Sequence, residues 1–210
     1  MTTTRVRPLR ADVREQIVAA AGEEFVERGY AATSVAQVAT RAGFTKGAVY
    51  SNFDGKPELF AAAMQAYFAD AVVGAFAEAL GAAASAADPA RPEPPEGPAR
   101  AMARALADDA VLGERWPALL GEFRAVVTSE PGLRALYAEI RMTQRAQLVE
   151  ALRRAGEQVR LRPGLDLEVA ATLLHTCVHG LSVERSAAPE AMPRALVEGL
   201  FAHVLEGILA

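Results

Sequence analysis

Apolar positions recur every three to four residues along most of this chain and nowhere alternate with period two over a useful length. Val13, Ile17, Ala20, Ala21 and Phe25 form the first such stripe. It predicts a helix over about 11–28, with Gly29 placed to end it in a left-handed conformation. Ser34 with Gln37 three residues on reads as a capping box opening a second helix, whose inward side is Val35, Val38, Ala39 and Ala42. Gly43 supplies a turn, and Thr45 is the expected N-cap of a short third helix over about 46–52. A fourth helix opens near Gly55 and Lys56, tolerates Pro57 in its first turn, and carries the stripe Phe60, Ala63, Met64, Tyr67, Phe68 and Ala71. The segment Asp88–Pro98 holds five of the chain's twelve prolines with charges between them, and reads as a loop or linker. Further helices are predicted at about 99–112, 116–129, 131–158, 166–185 and 189–209, with Pro or Gly at 117, 131–132, 163–164, 189 and 193 marking most starts. The fold class is all-α, about nine helices, without internal repeats.

Composition supports that reading: 51% of residues are hydrophobic, mostly Ala, Leu and Val, and only 6% are aromatic, a balance that favours helix over strand. The single cysteine, Cys177, excludes an intrachain disulfide and sits in the apolar stripe Val169, Leu173, Leu174, Cys177, Val178, Leu181, where it reads as a small buried hydrophobe. The basic N-terminus lacks the apolar stretch of a signal peptide. The most apolar run, Phe60 to Leu80, is interrupted by Gln65, Asp70 and Glu78, so no membrane span is expected and a cytoplasmic location is.

The net charge of −4 argues against nucleic-acid binding until its distribution is considered. Residues 1–60 carry 8 basic and 7 acidic side chains, whereas residues 61–210 carry 14 and 19. Both lysines of the chain, Lys46 and Lys56, flank the short third helix. That helix suits a DNA groove. Its N-terminus offers unpaired N–H groups and partial positive charge to a phosphate, with the Thr45 hydroxyl beside them. Lys46 adds a full charge for a phosphate or a guanine edge. Gly47 weakens the helix by about 1 kcal/mol relative to alanine, a cost explained by close approach to DNA. Tyr50 is expected to stack its ring on the first or second helix and reach a phosphate with its hydroxyl. Ser51 and Asn52 are candidates for base edges, Asn52 by a bidentate contact to adenine. Phe53 reads as core, and Lys56 as a second phosphate contact. Thr33 and Ser34, at the start of the second helix, complete the expected DNA-binding set. Arg5, Arg7 and Arg10 are either a minor-groove arm or a solvated tail.

The stretches Ile17 to Val35, Val38 to Phe53 (VATRAGFTKGAVYSNF) and Gly55 to Phe60 (GKPELF) resemble the tetracycline-repressor (TetR) family of transcriptional regulators over about 50 residues. The order AG-x-[ST]-KG-x-x-Y-x-x-F followed by K-x-x-L carries the likeness. Where many relatives have histidine or tyrosine late in the recognition helix, this chain has Ser51 and Asn52. The resemblance implies a helix-turn-helix DNA-binding domain over 10–70 and a helical ligand-binding and dimerisation domain over 71–210. It implies a palindromic operator, an unidentified small-molecule effector, and a homodimer paired through its last two helices, with no membrane partner and no cofactor. Leu196, Val197, Leu200, Phe201, Val204, Leu205 and Ile208 give the last helix a broad apolar face for that pairing, and Gly180 and Gly199 permit close approach.

By family position and residue type the expected ligand contacts are Phe68, Met102, Leu106, Trp116, Phe123, Tyr137, Arg141, Gln144 and His175, each of the apolar ones equally readable as core. Gln144 falls on an otherwise buried stripe and needs a partner, either a ligand or another helix. His175 and His179, four apart, share a helix face, but a metal site needs further ligands and the only other histidine is His203. A polar patch is the better reading. No phosphate loop, catalytic cluster or triad is visible, so an enzyme is not expected. A ligand-independent activator or architectural DNA-binder is the alternative to a ligand-responsive repressor.

Overall fold

A computed structural model of the chain describes residues 10–85, 97–108, 111, 115–130 and 132–209. Its elements are α1 (Arg10–Ala32), α2 (Val35–Arg41), α3 (Lys46–Tyr50), α4 (Lys56–Tyr67), a π-helical stretch (Phe68–Gly74), α5 (Ala75–Ser85), α6 (Pro98–Leu106), α7 (Arg115–Ser129), α8 (Leu133–Ala155), α9 (Leu167–Ala187) and α10 (Arg194–Glu206). Counting α4, the π stretch and α5 as one unbroken rod, the described residues form nine helices and no strand. Arg5, Arg7 and most of the proline-rich segment lie outside the described residues; its end does not, and there Gly97 caps α6 while Pro98 occupies the first helical position.

The N-terminal helices form where local chemistry directs them. Gly29 (φ 82°, ψ 168°) breaks the helical path inside α1, as its position at the end of the stripe predicts. The reciprocal capping box of Ser34 and Gln37 opens α2, and Gly43 (φ 73°) makes the left-handed turn to α3. Thr45 caps α3, its hydroxyl accepting the Ala48 N–H. This helix is shorter than expected and ends at Tyr50.

Two buried clusters meet along the rod. One joins α1, α2, α3 and α4 to α7 and to Ile140 of α8. At its centre Phe25 and Tyr30 stack, and Phe60 and Phe123 pack edge-to-face or tilted against them and each other, with Phe60 and Phe123 centroids 4.5 Å apart. The other begins at Phe68 and gathers the π stretch, α5, α6, α8, α9 and α10. The rod segment Lys56–Gly81 is long and apolar enough to cross a membrane, but half of its apolar window is buried inside the fold, as befits a core helix.

The expected stripes on α9 and α10 prove to be two faces each. Leu174, Val178, Val197, Phe201 and Leu205 turn inward, whereas Val169, Leu173, Val183, Leu196 and Leu200 are exposed. Cys177 is half-buried between the two faces, and its burial raises the thiol's pKa.

Candidate nucleic-acid interface and the chamber beneath it

Six residues of the expected DNA-binding set stand exposed: Ser34 at the start of α2, Thr45, Lys46, Gly47 and Tyr50 along α3, and Ser51 just past its end. Lys46 pairs with no carboxylate among the described residues, and its ammonium lies 5.7 Å from the centroid of the Tyr50 ring. Tyr50 is 49% exposed, so about half of its surface is open to a partner outside the fold. A Cβ placed on Gly47 would meet nothing nearer than the Thr45 hydroxyl at 3.8 Å. The fold itself therefore has room for a side chain at position 47.

Thr33, Asn52 and Lys56 are less open, and the exposed Ser51 also bonds within the head. Thr33 is buried, and its hydroxyl faces the carbonyls of Gly29 (2.8 Å) and Glu24 (3.1 Å), stitching the break in α1 rather than meeting solvent. Ser51 and Asn52 lie beyond the end of α3, where unpaired carbonyls need donors. The Ser51 hydroxyl and the Asn52 amide nitrogen both donate to the Ala48 carbonyl, at 2.8 Å each, and the amide's other N–H is directed at the Ser51 oxygen at 3.3 Å, so both donors of Asn52 are engaged within the head in this arrangement. Lys56 is half-buried: its ammonium donates to the Ala31 carbonyl at 3.0 Å and lies 4.5 Å from the Tyr30 ring centroid. Burial lowers the pKa of this lysine, and nearby Glu122 opposes that. Lys56 fastens α4 to the end of α1. Phe53 is core, as expected, under the Arg14 guanidinium at 4.8 Å.

Charge elsewhere in the head is consumed internally. Arg41 of α2 donates to Glu24 (2.6 Å), Glu23 (3.1 Å) and Glu27 (2.9 and 2.5 Å) on α1. Glu24, nearly fully buried, also accepts from Arg28 at 2.7 Å. These hydrogen bonds hold the Arg41 pKa above its ordinary value and the Glu27 pKa below its own. From the distal half, Glu122 of α7 accepts the Tyr30 N–H at 2.8 Å, beside the break at Gly29. Sequence reasoning missed Arg41, Glu24 and Glu122, because nothing local couples residues 17 and 92 positions apart.

Below the head, a cavity of about 40 Å³ is walled by the rod, α7, α8 and α9. Three expected ligand contacts line it: Phe68, Trp116 and Gln144. His175 adjoins them, its Nε2 donating to Gln144 Oε1 at 3.1 Å, and Arg141 Nη1 reaches the same oxygen at 3.5 Å. The other four are elsewhere. Met102 and Leu106 are buried in the distal cluster, and Phe123 and Tyr137 belong to the aromatic cluster of the head. Met64, Tyr67, Leu120, Val178, His179 and Ser182 also line the cavity and were not singled out as contacts. A signal was present: residues 175, 179 and 182, and residues 141 and 144, are polar positions at helical spacing on apolar helices. Tyr67 stacks on Trp116 at 4.2 Å and donates its hydroxyl to the Val111 carbonyl at 3.0 Å. That pair also walls a larger open cleft of about 1020 Å³ between α1 and α4.

The model for bacterial regulatory proteins of the tetR family matches residues 17–63, and that for the C-terminal part of BetI-type transcriptional repressors matches residues 95–210. This chain belongs to the TetR family of transcriptional regulators. Its matches to curated relatives cover under a third of their length. The transcriptional activator FasR of Mycolicibacterium smegmatis is 40% identical over 65 residues, 31% of this chain and 30% of FasR. Similarity of fold extends further: a solved structure from Mesorhizobium loti, described as a TetR-family regulator, superposes with a TM-score of 0.65 at 21% identity, covering 95% of this chain and 96% of its own. A solved complex of SmeT with triclosan is 25% identical, with a TM-score of 0.50, covering 95% of this chain and 92% of its own. As a member of a family of DNA-binding regulators, the protein is not an enzyme.

Proposed function

We propose that this regulator is a ligand-responsive repressor that binds a two-fold operator as a homodimer in the cytoplasm. Residues 10–70 form its DNA-binding head, and 71–210 its effector and dimerisation part. The observation that carries the reading is the joint exposure of Thr45, Lys46, Gly47 and Tyr50 at α3, while Arg28, Arg41 and Lys56 bond to carboxylates or a carbonyl inside the head. One short helix discriminates sequence weakly, and two related by a dyad read two half-sites. The second copy has a surface to pair with. Val169, Leu173, Thr176, Gly180 and Val183 repeat at four- and three-residue spacing on the exposed face of α9, and Leu196 and Leu200 do so on α10. Repression agrees with the BetI-type repressor match, and the solved SmeT–triclosan complex supports a small-molecule effector. FasR, named as an activator, favours activation as the second reading.

The rod offers the coupling. Its first turn holds the end of α1 through Lys56, and its later turns wall the cavity through Met64, Tyr67 and Phe68. A ligand that binds one arrangement of the rod better than another shifts the head's population by that difference in affinity. The test is binding of the purified protein to DNA flanking its own gene at two salt concentrations. Lys46→Ala and Tyr50→Ala are each expected to lose roughly tenfold in affinity or more, without a change in melting temperature. Undiminished binding by both variants would remove α3 as the reading element. A reporter assay then separates repression from activation.

A further inference from the structure

The polar wall of the cavity is formed by Gln144, His179 and Ser182, with Arg141 and His175 standing behind Gln144. Gln144 is 1% exposed and His175 5%, and Gln144 Oε1 already accepts from both His175 and Arg141. His179, whose ring centroid lies 5.2 Å from that of His175, points a buried Nε2 that finds no hydrogen-bond partner. A buried polar atom left without a partner is costly and calls for an explanation. Arg141 is half-buried and, among the described residues, makes no ion pair. Its neighbour Arg145, by contrast, is paired with Glu168 at 3.4 Å. No carboxylate lines the cavity. The charged groups acting on both imidazoles are arginines, Arg141 on each, with Arg145 on His175 and Arg124 on His179. The apolar wall includes Phe68, whose ring packs edge-on against His175 at 5.2 Å, Leu120 and the stacked pair of Tyr67 and Trp116.

We infer that the chamber takes an organic monoanion, a carboxylate on a compact apolar body, its oxygens meeting the imidazole N–H of His179 at the wall and the Arg141 guanidinium behind Gln144. This deepens the ligand-responsive reading above and rests on it for its regulatory meaning. A carboxylate supplies what both groups lack: a counter-charge for the guanidinium and an acceptor for an imidazole N–H. An ammonium ligand would enter among cations with no acid to receive it. At about 40 Å³ the cavity lies far below the roughly 300 Å³ or more of small-molecule sites. An organic anion therefore fits only when the Tyr67–Trp116 partition parts toward the open cleft that the same two residues wall. Tyr67 is the last residue of α4, where the rod passes into the π-helical stretch, so parting the stack acts on the element that carries the head.

Trp116 is the only tryptophan, so its fluorescence reads this event without DNA. Hexanoate, octanoate and phenylacetate are titrated against the full-length protein, each beside its primary amide and its amine analogue. The acids are expected to shift Trp116 emission and to bind roughly ten- to hundredfold tighter than the amides and amines. Arg141→Gln is expected to erase that preference while leaving the amides' affinity unchanged, and Arg141→Lys to keep part of it, with thermal melts confirming that both variants fold. Amines or amides binding as well as the acids, no acid binding up to about 10 mM, or an acid preference that survives Arg141→Gln would each overturn the assignment. The same acids are then added to the operator complex. Acids that shift Trp116 yet leave operator affinity unchanged would sink the ligand-responsive reading and leave the anion site standing. Amines that displace DNA would do the reverse.

Discussion

In the head, buried polar groups are satisfied within the head or by one residue from α7. Glu24 is held by Arg28 and Arg41, Thr33 by two carbonyls of its own helix, and the Tyr30 N–H by Glu122. In the chamber between the rod, α7, α8 and α9, half-buried polar residues are left short of partners, the Nε2 of His179 outright and Arg141 with only a long bond to Gln144. The Gln147 Oε1 that faces the larger cleft is also unpartnered. The difference separates two uses of polarity. Pairs that close on themselves fix a rigid reading head, whereas groups that still need partners mark a place where something else completes the structure.

The largest effect that bears on this contrast is acid sensitivity of the chamber. Burial, reinforced by the neighbouring arginines, pushes His175 and His179 down to about 3. An unfolded histidine titrates near its ordinary value, so between that value and about 3 the unfolded chain carries protons that the folded chain does not. The stability is complete above about pH 6.5 and falls as the pH drops below it, by up to about 1.4 kcal/mol per pH unit for each imidazole. Urea melts at pH 7.5 and 5.5 measure this, and His179→Leu is expected to remove one proton's share of the slope. An unchanged slope in that variant would show that the chamber is not the acid-labile part.

The next effect lies in the head. Gly29→Ala forces a side chain into a backbone region open essentially to glycine and sets its Cβ 2.8 Å from Glu122 Oε1. The expected cost is about 2–3 kcal/mol in a denaturant melt. A neutral result would mean that the junction between α1 and α7 yields easily, contrary to the rigid-head reading. The smallest change in stability sharpens the contrast from the DNA side. With no internal obstacle, Gly47→Ala is expected to stabilise the fold by up to about 1 kcal/mol while weakening operator binding. If affinity survives, the backbone at Gly47 does not approach DNA closely.

What the sequence determined alone was whatever is decided within a few residues. The Ser34–Gln37 box, the Thr45 cap, the turn at Gly43 and the break at Gly29 are contacts and dihedrals set over three or four positions, and all four were legible. So was the split between helical stripes and the inward face of the rod. The misplacements have a common cause. Thr33, Asn52 and Lys56 carry polar atoms that were assigned to DNA, yet each found a carbonyl nearer at hand, and only the finished path of the backbone shows which carbonyls are left over. Likewise no local pattern tells that α9 and α10 each have an outward apolar face, or that Arg141, Gln144, His175 and His179 from two helices converge on one cavity. Periodicity names the face of a helix. Which neighbour covers that face, and whether a polar group on it ends satisfied or waiting, is decided by packing between elements far apart in the chain, because burial and hydrogen-bond supply are properties of the assembled structure.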